Sequence, residues 1–380
     1  MPHKDLTKRI ITLLERVCGT PQTPMQVHEP IFSEDEKLSV ANVLNTGWVS
    51  TAGPEISIFE DALKTKLQLN HCVAVNSGTS ALHLALKCLG IGAGDGVILP
   101  SLGFIAPANA ISYVGANHHF VDVDPHFGLL DTNAIEKYLN KSMHLNIKAI
   151  VFICLFGQKT DPKPLLNLAR ERNLKVIEDA AGALGSKFSG NYVGNDFDAT
   201  IFSFNGNKII TTGGGGALSI FDTQAAEHAL HLANVAKTYK NHVPSHDQIA
   251  FNYRMPNLNA AIGIPQLGDL DNKIAKKLAL KIRYKRESEN LGLTILEDPP
   301  GSTSNNWLIN LKLDPLQSLA ESQKRLFQII GECHDRGYIV RPIWEPLHRT
   351  KMYNFSENLS LPNTDILSTS LISLPSSEFI

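Results

Sequence analysis

CVAVNSGTSALHLALKCL, residues 72–89, is the stretch of this chain that decides its fold. It starts with a short apolar run, Cys72–Val75, which is typical of a buried strand. Small and polar residues follow at 76–81, and the apolar-rich segment Leu82–Leu89 has the spacing of a helix. The stretch therefore predicts a strand, a tight turn and a helix in that order.

The same alternation continues toward the C-terminus, where helix-like segments such as Pro164–Arg172 lie between short apolar runs. Strands that alternate with helices need crossover connections, so the sequence predicts an α/β fold with a mainly parallel central sheet flanked by helices. Ligands of such sheets bind at the carboxyl ends of the strands. The predicted strands are Cys72–Val75, Val97–Leu99, His119–Val123, Ala149–Leu155, Val176–Ile177, Ala199–Phe204 and Ala217–Ile220.

The pattern of apolar and polar residues changes after Gln266. Two long helical segments, Leu270–Asn290 and Leu316–Arg336, enclose the loop Asp298–Asn306 and the apolar strand Trp307–Leu313. This pattern predicts a smaller C-terminal α+β domain. At the other end, Leu6, Ile10, Leu13, Leu14 and Val17 recur at helical spacing and indicate an amphipathic helix, not a signal peptide. We therefore expect an N-terminal helix and arm (1–30), a large cofactor-binding domain (31–265) and a small C-terminal domain (266–380).

Composition excludes several classes of function. The 380 residues include 35 Lys+Arg and 37 Asp+Glu, a net charge of −2, which does not favour nucleic acid or an anionic membrane surface as a partner. Five scattered cysteines without Cys-x-x-Cys spacing predict no disulfide framework and no metal site, and they fit a cytoplasmic location. The longest apolar run, Ala149–Phe156, is too short to span a bilayer.

Three segments at predicted strand ends carry candidate chemistry. The turn Asn76–Ala81 opens a helix, and a helix N-terminus binds phosphate well; the alternative is simple N-capping by Thr79 or Ser80. Two carboxylates, Glu178 and Asp179, sit at the exit of the apolar strand Val176–Ile177, where they form either a site or a surface turn.

The third segment, residues 199–217, contains Lys208 between two apolar stretches and then four glycines. A partly desolvated lysine at a strand end has a lowered pKa and acts as an amine nucleophile. A phosphate cradle, a carboxylate and a lysine together are the groups needed to hold pyridoxal phosphate: a phosphate anchor, a partner for the pyridine nitrogen and a Schiff-base amine.

With these residues in place, the sequence resembles the DegT-type sugar-nucleotide aminotransferases, which have the fold-type I, aspartate aminotransferase-like architecture. The likeness covers nearly the whole chain and is closest to the LegC-type subgroup. It rests on residues 47–54, 76–86, 100–111, 178–185, 203–216, 252–261 and 341–348.

The resemblance implies roles for single residues. Lys208 is the Schiff-base lysine, Asp179 pairs with the pyridine nitrogen, and Phe104 stacks on the cofactor ring, although an aromatic at that position is also an ordinary core residue. The residues that the resemblance implies for the phosphate are Gly78, Thr79, Ser80, Ser203 and Asn252. Asn252 would reach the phosphate of the neighbouring subunit, so the resemblance also implies a homodimer with shared sites.

Three further residues have weaker claims to bind substrate. Trp48 lies in a loop that the family places near the sugar, but it could instead seal a dimer interface. Arg254 is either a substrate contact or a structural ion-pair partner, and His348 is either a substrate contact or a surface imidazole.

The chain also departs from the family pattern. Gly182 stands where Gln, His or Glu often follows Asp-Ala-Ala, so that contact with the cofactor must come from elsewhere. Polar or charged residues are also common where this chain has Gly103, Pro107, Cys154 and Gly214.

The resemblance implies transfer of an amino group, with L-glutamate as the expected donor, to the 4-keto carbon of a UDP-linked 2-acetamido-2,6-dideoxy-4-ketohexose, in surface-glycan or nonulosonic-acid biosynthesis. The alternative is a perosamine-type enzyme that acts on GDP-4-keto-6-deoxymannose. Three rivals stay open: a non-catalytic pyridoxal phosphate sensor, a nucleotide-dependent oxidoreductase, and a dehydratase of the same family, against which Lys208 argues because dehydratases carry histidine there.

Overall fold

The computed structural model describes residues 2–354 and 359–380. The helices are α1 (Pro2–Cys18), α2 (Glu34–Thr46), α3 (Glu55–Leu67), α4 (Gly78–Cys88), α5 (Ala106–Tyr113), α6 (Thr132–Lys141), α7 (Lys163–Glu171), α8 (Thr223–Ala233), α9 (Asn257–Gly268), α10 (Leu270–Glu289), α11 (Leu319–His334) and α12 (Pro362–Ser368). The strands are β1 (Val73–Val75), β2 (Gly96–Pro100), β3 (Asn117–Val121), β4 (Ile147–Ile153), β5 (Lys175–Asp179), β6 (Lys187–Phe188), β7 (Asn191–Tyr192), β8 (Ala199–Ser203), β9 (Gly216–Ile220), β10 (Lys237–Lys240), β11 (Val243–His246), β12 (Thr294–Ile295), β13 (Ser302–Thr303), β14 (Ile309–Lys312), β15 (Arg341–Pro342) and β16 (Leu371–Leu374).

The central sheet has the order β1-β9-β8-β5-β4-β2-β3. Only β9 runs against its neighbours, since it pairs antiparallel with β1 and β8 while the other pairs are parallel. The predicted, mainly parallel sheet is therefore confirmed. All seven predicted strands are present, with ends that differ by at most two residues.

Alternate residues of the strands pack into two separate hydrophobic cores, one on each face of the sheet. Val151 in β4 belongs to a cluster with the apolar residues of α4, α5 and α8, whereas Phe152 belongs to a cluster with α3 and α7. This follows from the two-residue period of a strand. Because helices cover both faces, the sheet leaves only its edges and strand ends for a ligand.

A second sheet, of order β12-β14-β16-β15 and entirely antiparallel, lies in the C-terminal part of the chain. The N-terminal helix packs into the same core, where Ile10, Leu13, Leu14 and Val17 are fully buried beside residues of α10, α11 and β16. The following arm also joins this region, because the Ser376 N–H donates to the Val27 carbonyl at 2.6 Å. The proposed domain limits stay a prediction, and the limit at 265 falls inside α9.

Within the described residues, no helix combines the length and the apolar character that crossing a membrane requires.

Candidate active site

The N-terminus of α4 forms one wall of the site. Ser77 is the N-cap: its backbone is extended and its Oγ accepts the Ser80 N–H at 3.1 Å. Capping by Thr79 or Ser80 is therefore the wrong alternative. The first amides of an α-helix have no intrahelical acceptor, so those of Gly78 and Thr79, at the positive end of the helix dipole, are placed to bind an anion.

Asp179 forms the floor of the site. It ends β5 and is 5% exposed, and its neighbour Glu178 is completely buried, so neither belongs to a surface turn. Asp179 lines the cavity, whereas Glu178 points away from it to Lys159. Burial raises the pKa of Asp179 to about 6, against the opposing effects of the Ala181 amide and Lys208.

Lys208 lies in the loop between β8 and β9, with its amine directed to the same cavity. Burial lowers its pKa to about 8, and Asp179 opposes that shift. At neutral pH about a tenth of such amines are unprotonated, far more than of an ordinary lysine. Asp179 and Lys208 therefore provide an anion and a reactive amine in one enclosure.

The cavity has a volume of about 410 Å³ and opens at the carboxyl ends of β4, β5 and β8. Six of the residues expected at the site line it, namely Gly78, Thr79, Phe104, Asp179, Ser203 and Lys208. Phe104 is 54% exposed, so it is not a core residue, and its ring lies 6.4 Å from that of Trp344.

Ser80 does not line the cavity. Its hydroxyl donates to Asn76 Oδ1 at 2.6 Å and it is buried in the turn, so it supports the turn's conformation. Asn252 and Trp48 also lie outside the cavity and are exposed. The carbonyl of Asn252 accepts from Asn76 Nδ2 at 3.3 Å, and that of Trp48 accepts from Asn257 Nδ2 at 2.7 Å.

Arg254 and His348 are occupied elsewhere. The Arg254 guanidinium pairs with both oxygens of Glu60, which makes it the structural ion-pair partner of the two alternatives. His348 is neither a surface imidazole nor part of the cavity wall: it is 7% exposed and bonds Ser101 Oγ at 2.7 Å.

Sequence reasoning missed the remaining aromatic and charged residues of the cavity wall, which are Phe156, Trp307, Arg341 and Trp344. Trp344 stacks on Phe156 with the ring centroids 5.7 Å apart, and on Trp307 at 6.5 Å. Phe156 adopts a left-handed backbone conformation, with φ +59°, which is unusual for a buried aromatic and typical of functional sites. The sequence predicts Trp307 as the first residue of the apolar strand Trp307–Leu313, because only its apolar character is visible there, whereas β14 begins at Ile309.

The last of the four consecutive glycines has a structural reason. A Cβ on Gly216 would lie 2.6 Å from the Gly78 nitrogen and 2.5 Å from the Ser77 carbonyl carbon. The start of β9 therefore passes directly against the turn before α4, and only glycine permits that approach.

Behind Asp179 lies a buried ionic cluster. Glu178 accepts from Thr200 Oγ1 at 2.9 Å and from the Gly194 N–H at 3.0 Å, and it pairs with Lys159 at 3.3 Å. Lys159 is 1% exposed and also bonds Asp196. Burial alone would lower the pKa of Lys159, but Glu178 and Asp196 hold it above its usual value, so Lys159 stays charged.

We expect the substitution Lys159→Met to destabilise the protein by about 3–5 kcal/mol, because it leaves the Glu178 carboxylate buried without its counter-ion. The measurement is the free energy of unfolding in urea. Lys163→Met, at an exposed position nearby, is the matched control and should change it little. Equal losses in the two variants would contradict the assignment.

The groups in the cavity fit pyridoxal phosphate. The Gly78 and Thr79 amides and the Ser203 hydroxyl would hold the phosphate, Asp179 the pyridine nitrogen and Lys208 the aldehyde carbon. The cradle is narrow, since a Cβ on Gly78 would lie 3.1 Å from the Cβ of Ser203.

Comparisons with known proteins agree with this chemistry. Residues 30–379 match the DegT/DnrJ/EryC1/StrS aminotransferase family. The chain is 36% identical over 329 residues to a GDP-perosamine synthase from Escherichia coli O157:H7, covering 86% of each chain. It is 32% identical over 355 residues to a GDP-perosamine synthase from Vibrio cholerae, covering 92% of this chain and 93% of the relative.

A solved structure is similar along nearly the whole length. PseC from Helicobacter pylori, an aminotransferase involved in the biosynthesis of pseudoaminic acid, superimposes with a TM-score of 0.84 at 25% identity and covers 93% of both chains. The chain is an enzyme of the DegT/DnrJ/EryC1/StrS aminotransferase family, a sugar aminotransferase that uses pyridoxal phosphate.

Proposed function

We propose that this enzyme transfers an amino group from L-glutamate to the 4-keto carbon of GDP-4-keto-6-deoxymannose, giving a perosamine-type product. The observation that carries the proposal is the similarity to two GDP-perosamine synthases along 86% and 92% of the chain. This similarity favours the GDP-linked substrate over the UDP-linked substrate that the LegC-type resemblance implied.

The cofactor, when bound, supplies an electron sink for the carbanion that forms at the donor's Cα. Lys208 removes the proton from that Cα. Its lowered pKa makes the neutral amine accessible, and it lines the cavity in which the reacting groups would lie. Asp179 supplies a negative charge that favours a protonated ring nitrogen. The helix N-terminus at Gly78 and Thr79 holds the phosphate in place.

Arg341 is the proposed anchor for the anionic parts of the substrates. Of the described residues that line the cavity, only Lys208 and Arg341 carry a positive charge. The Arg341 guanidinium makes no hydrogen bond or ion pair with a described residue, whereas Arg254, the cation expected from the sequence, is engaged by Glu60. A diphosphate or a carboxylate would give Arg341 the partner that it lacks.

We expect Arg341→Gln to raise the KM for the anionic substrates by about 10- to 100-fold, since a hydrogen bond to a charged group contributes about 1.5–3 kcal/mol. The kcat should change little. Steady-state kinetics with both substrates give the values, and Arg336→Gln, an exposed arginine of the same region, is the control. Unchanged KM values for both substrates would remove Arg341 from the binding site.

The substrate is tested by incubating the enzyme with L-glutamate and each of two sugars, GDP-4-keto-6-deoxymannose and UDP-2-acetamido-2,6-dideoxy-4-ketohexose. NMR of the product identifies the aminated carbon. The UDP-linked sugar is the second candidate because the LegC-type resemblance of the sequence implies it. Turnover of the UDP-linked sugar alone would reverse the order of the two candidates.

The proposed working unit is a homodimer in which each subunit completes the other's site. It is supported by exposed apolar side chains near Asn252, where Tyr239 is 66%, Val243 63% and Ile249 94% exposed on and beside the hairpin β10–β11. We expect a mass of about twice 41.6 kDa in solution by light scattering. We also expect Ile249→Asp to shift it toward the monomer; a wild-type monomer with full activity would contradict the shared site.

A further inference from the structure

The space in front of position 182 is filled by the indole of Trp307. A Cβ built on Gly182 would lie 2.5 Å from Cε3 and 2.8 Å from Cζ3 of that ring, far inside the separation of two carbon atoms in contact. Both residues line the cavity that contains Lys208. The side chain that position 182 lacks and the indole would therefore occupy the same volume.

The indole contacts the lysine segment at two points. Its Nε1–H donates to the carbonyl oxygen of Asn207, the residue before Lys208, at 2.6 Å. Its face lies 3.7 Å, measured to the ring centroid, from the Lys208 Nζ. No hydrogen bond or ion pair joins this Nζ to any residue that the structure describes. One side chain thus bonds the backbone next to the lysine and contacts its amine.

The indole is itself fixed in place. The side chain of Asn305 accepts the Trp307 backbone N–H at 2.9 Å and donates to the Gly182 carbonyl, also at 2.9 Å. Lys277 Nζ donates to the Trp307 carbonyl at 3.0 Å, and Trp344 stacks on the ring. Asn305 binds both residues, so it sets the position of the ring relative to Gly182, and Trp307 is only 4% exposed.

We infer that Trp307 is a positioning residue for Lys208 and takes the place of a side chain at position 182. The inference rests on the proposed role of Lys208 as the reacting amine. The negative face of the ring attracts the ammonium group, and the Nε1–H bond fixes the backbone from which Lys208 extends. The volume that a side chain at position 182 would need is thus filled from a position 125 residues further along the chain.

The first test measures the titration of Lys208 in the cofactor-free protein. Trinitrobenzenesulfonate reacts with neutral amines, and peptide mass spectrometry gives the rate at Lys208 as a function of pH. In Trp307→Leu the loss of the ring face should move the midpoint to lower pH, so that labelling at pH 7 is about 2- to 5-fold faster. Trp307→Phe retains a ring face and should fall between this variant and the wild type.

The control is Trp344→Leu, which removes the other tryptophan of the cavity wall, a residue that stacks on Trp307. Its midpoint should stay near the wild-type value. If Trp307→Leu and Trp344→Leu shift the midpoint equally, or not at all, Trp307 is only a packing residue and the inference fails. If Trp307→Leu does not fold, the midpoint of Trp307→Phe is compared with that of the wild type, and an unchanged midpoint then contradicts the inference.

The second test concerns the shared volume. Gly182→Ala should lower the melting temperature of the cofactor-free wild type. In a Trp307→Ala background the same substitution should lower the melting temperature by at most half as much. If Trp307→Ala does not fold, Trp307→Leu serves as the background. Gly92 has open space where a Cβ would lie, so Gly92→Ala should change the melting temperature equally in both backgrounds. An equal loss for Gly182→Ala in both would overturn the inference. Neither test needs turnover, so a wrong substrate assignment would leave both results unchanged.

Discussion

Lys208→Ala is expected to abolish transamination, with a loss of at least about 10³-fold in kcat, because no other amine of the described residues lines the cavity. The wild-type protein should be yellow when purified, and its visible absorption band should shift when L-glutamate is added. The variant should show neither the band of the wild type nor the shift. Absorbance spectra and single-turnover assays give both results.

The matched control is Lys187→Ala. Lys187 also lies over an aromatic ring, that of Tyr192 at 4.2 Å, but outside the cavity. It should keep the wild-type spectrum and rate. A Lys208→Ala variant with an unchanged band and full turnover would refute the assignment of the reacting amine, and with it the proposed roles of the surrounding residues.

Asp179→Asn is expected to change activity and stability in opposite directions. Activity should fall by about 10²- to 10³-fold, because the uncharged amide no longer favours a protonated ring nitrogen. Asparagine has nearly the same shape and its Oδ1 can still accept the Ala181 N–H, which Asp179 accepts at 3.0 Å. The loss of activity would therefore measure the contribution of the negative charge of Asp179.

The effect on stability follows from the pKa of Asp179, which is raised from 3.8 to about 6 in the fold. The protonated carboxyl is favoured by folding, so its contribution is fully present below pH 3.8 and is lost as the pH rises through about 6. At pH 8 the cofactor-free Asp179→Asn variant should be more stable than the wild type by about 3 kcal/mol. Urea unfolding at several pH values measures the difference, which should vanish below pH 4. A variant that is less stable at pH 8 would contradict the buried carboxylate.

The parts of the fold that depend on neighbours in sequence were predictable. Strand and helix periods predicted the central sheet, the position of Lys208 before the glycine run marked it as a reactive amine, and the resemblance selected Asp179 from the pair Glu178 and Asp179. The strand period also separates Glu178 from Asp179, since successive side chains point to opposite faces.

The parts that depend on distant partners were not predictable. Arg254 is held by Glu60, 194 positions away, and His348 by Ser101, 247 positions away. In the sequence each has two possible roles, because nothing local identifies its partner. Trp307 and Arg341 reach the cavity from the C-terminal part of the chain, and only the packing of that part against the central sheet brings them there.

The burial of α1 in the C-terminal core has a consequence for the order of events during synthesis. Ile10, Leu13, Leu14 and Val17 are synthesised about 300 residues before the apolar groups that cover them, which include Leu311, Ile329 and Ile372. The core that these residues share cannot close until Ile372 has been made. Until then the apolar face of α1 lacks the side chains that cover it in the folded protein, and an uncovered apolar face is the kind of surface that chaperones bind and that favours aggregation.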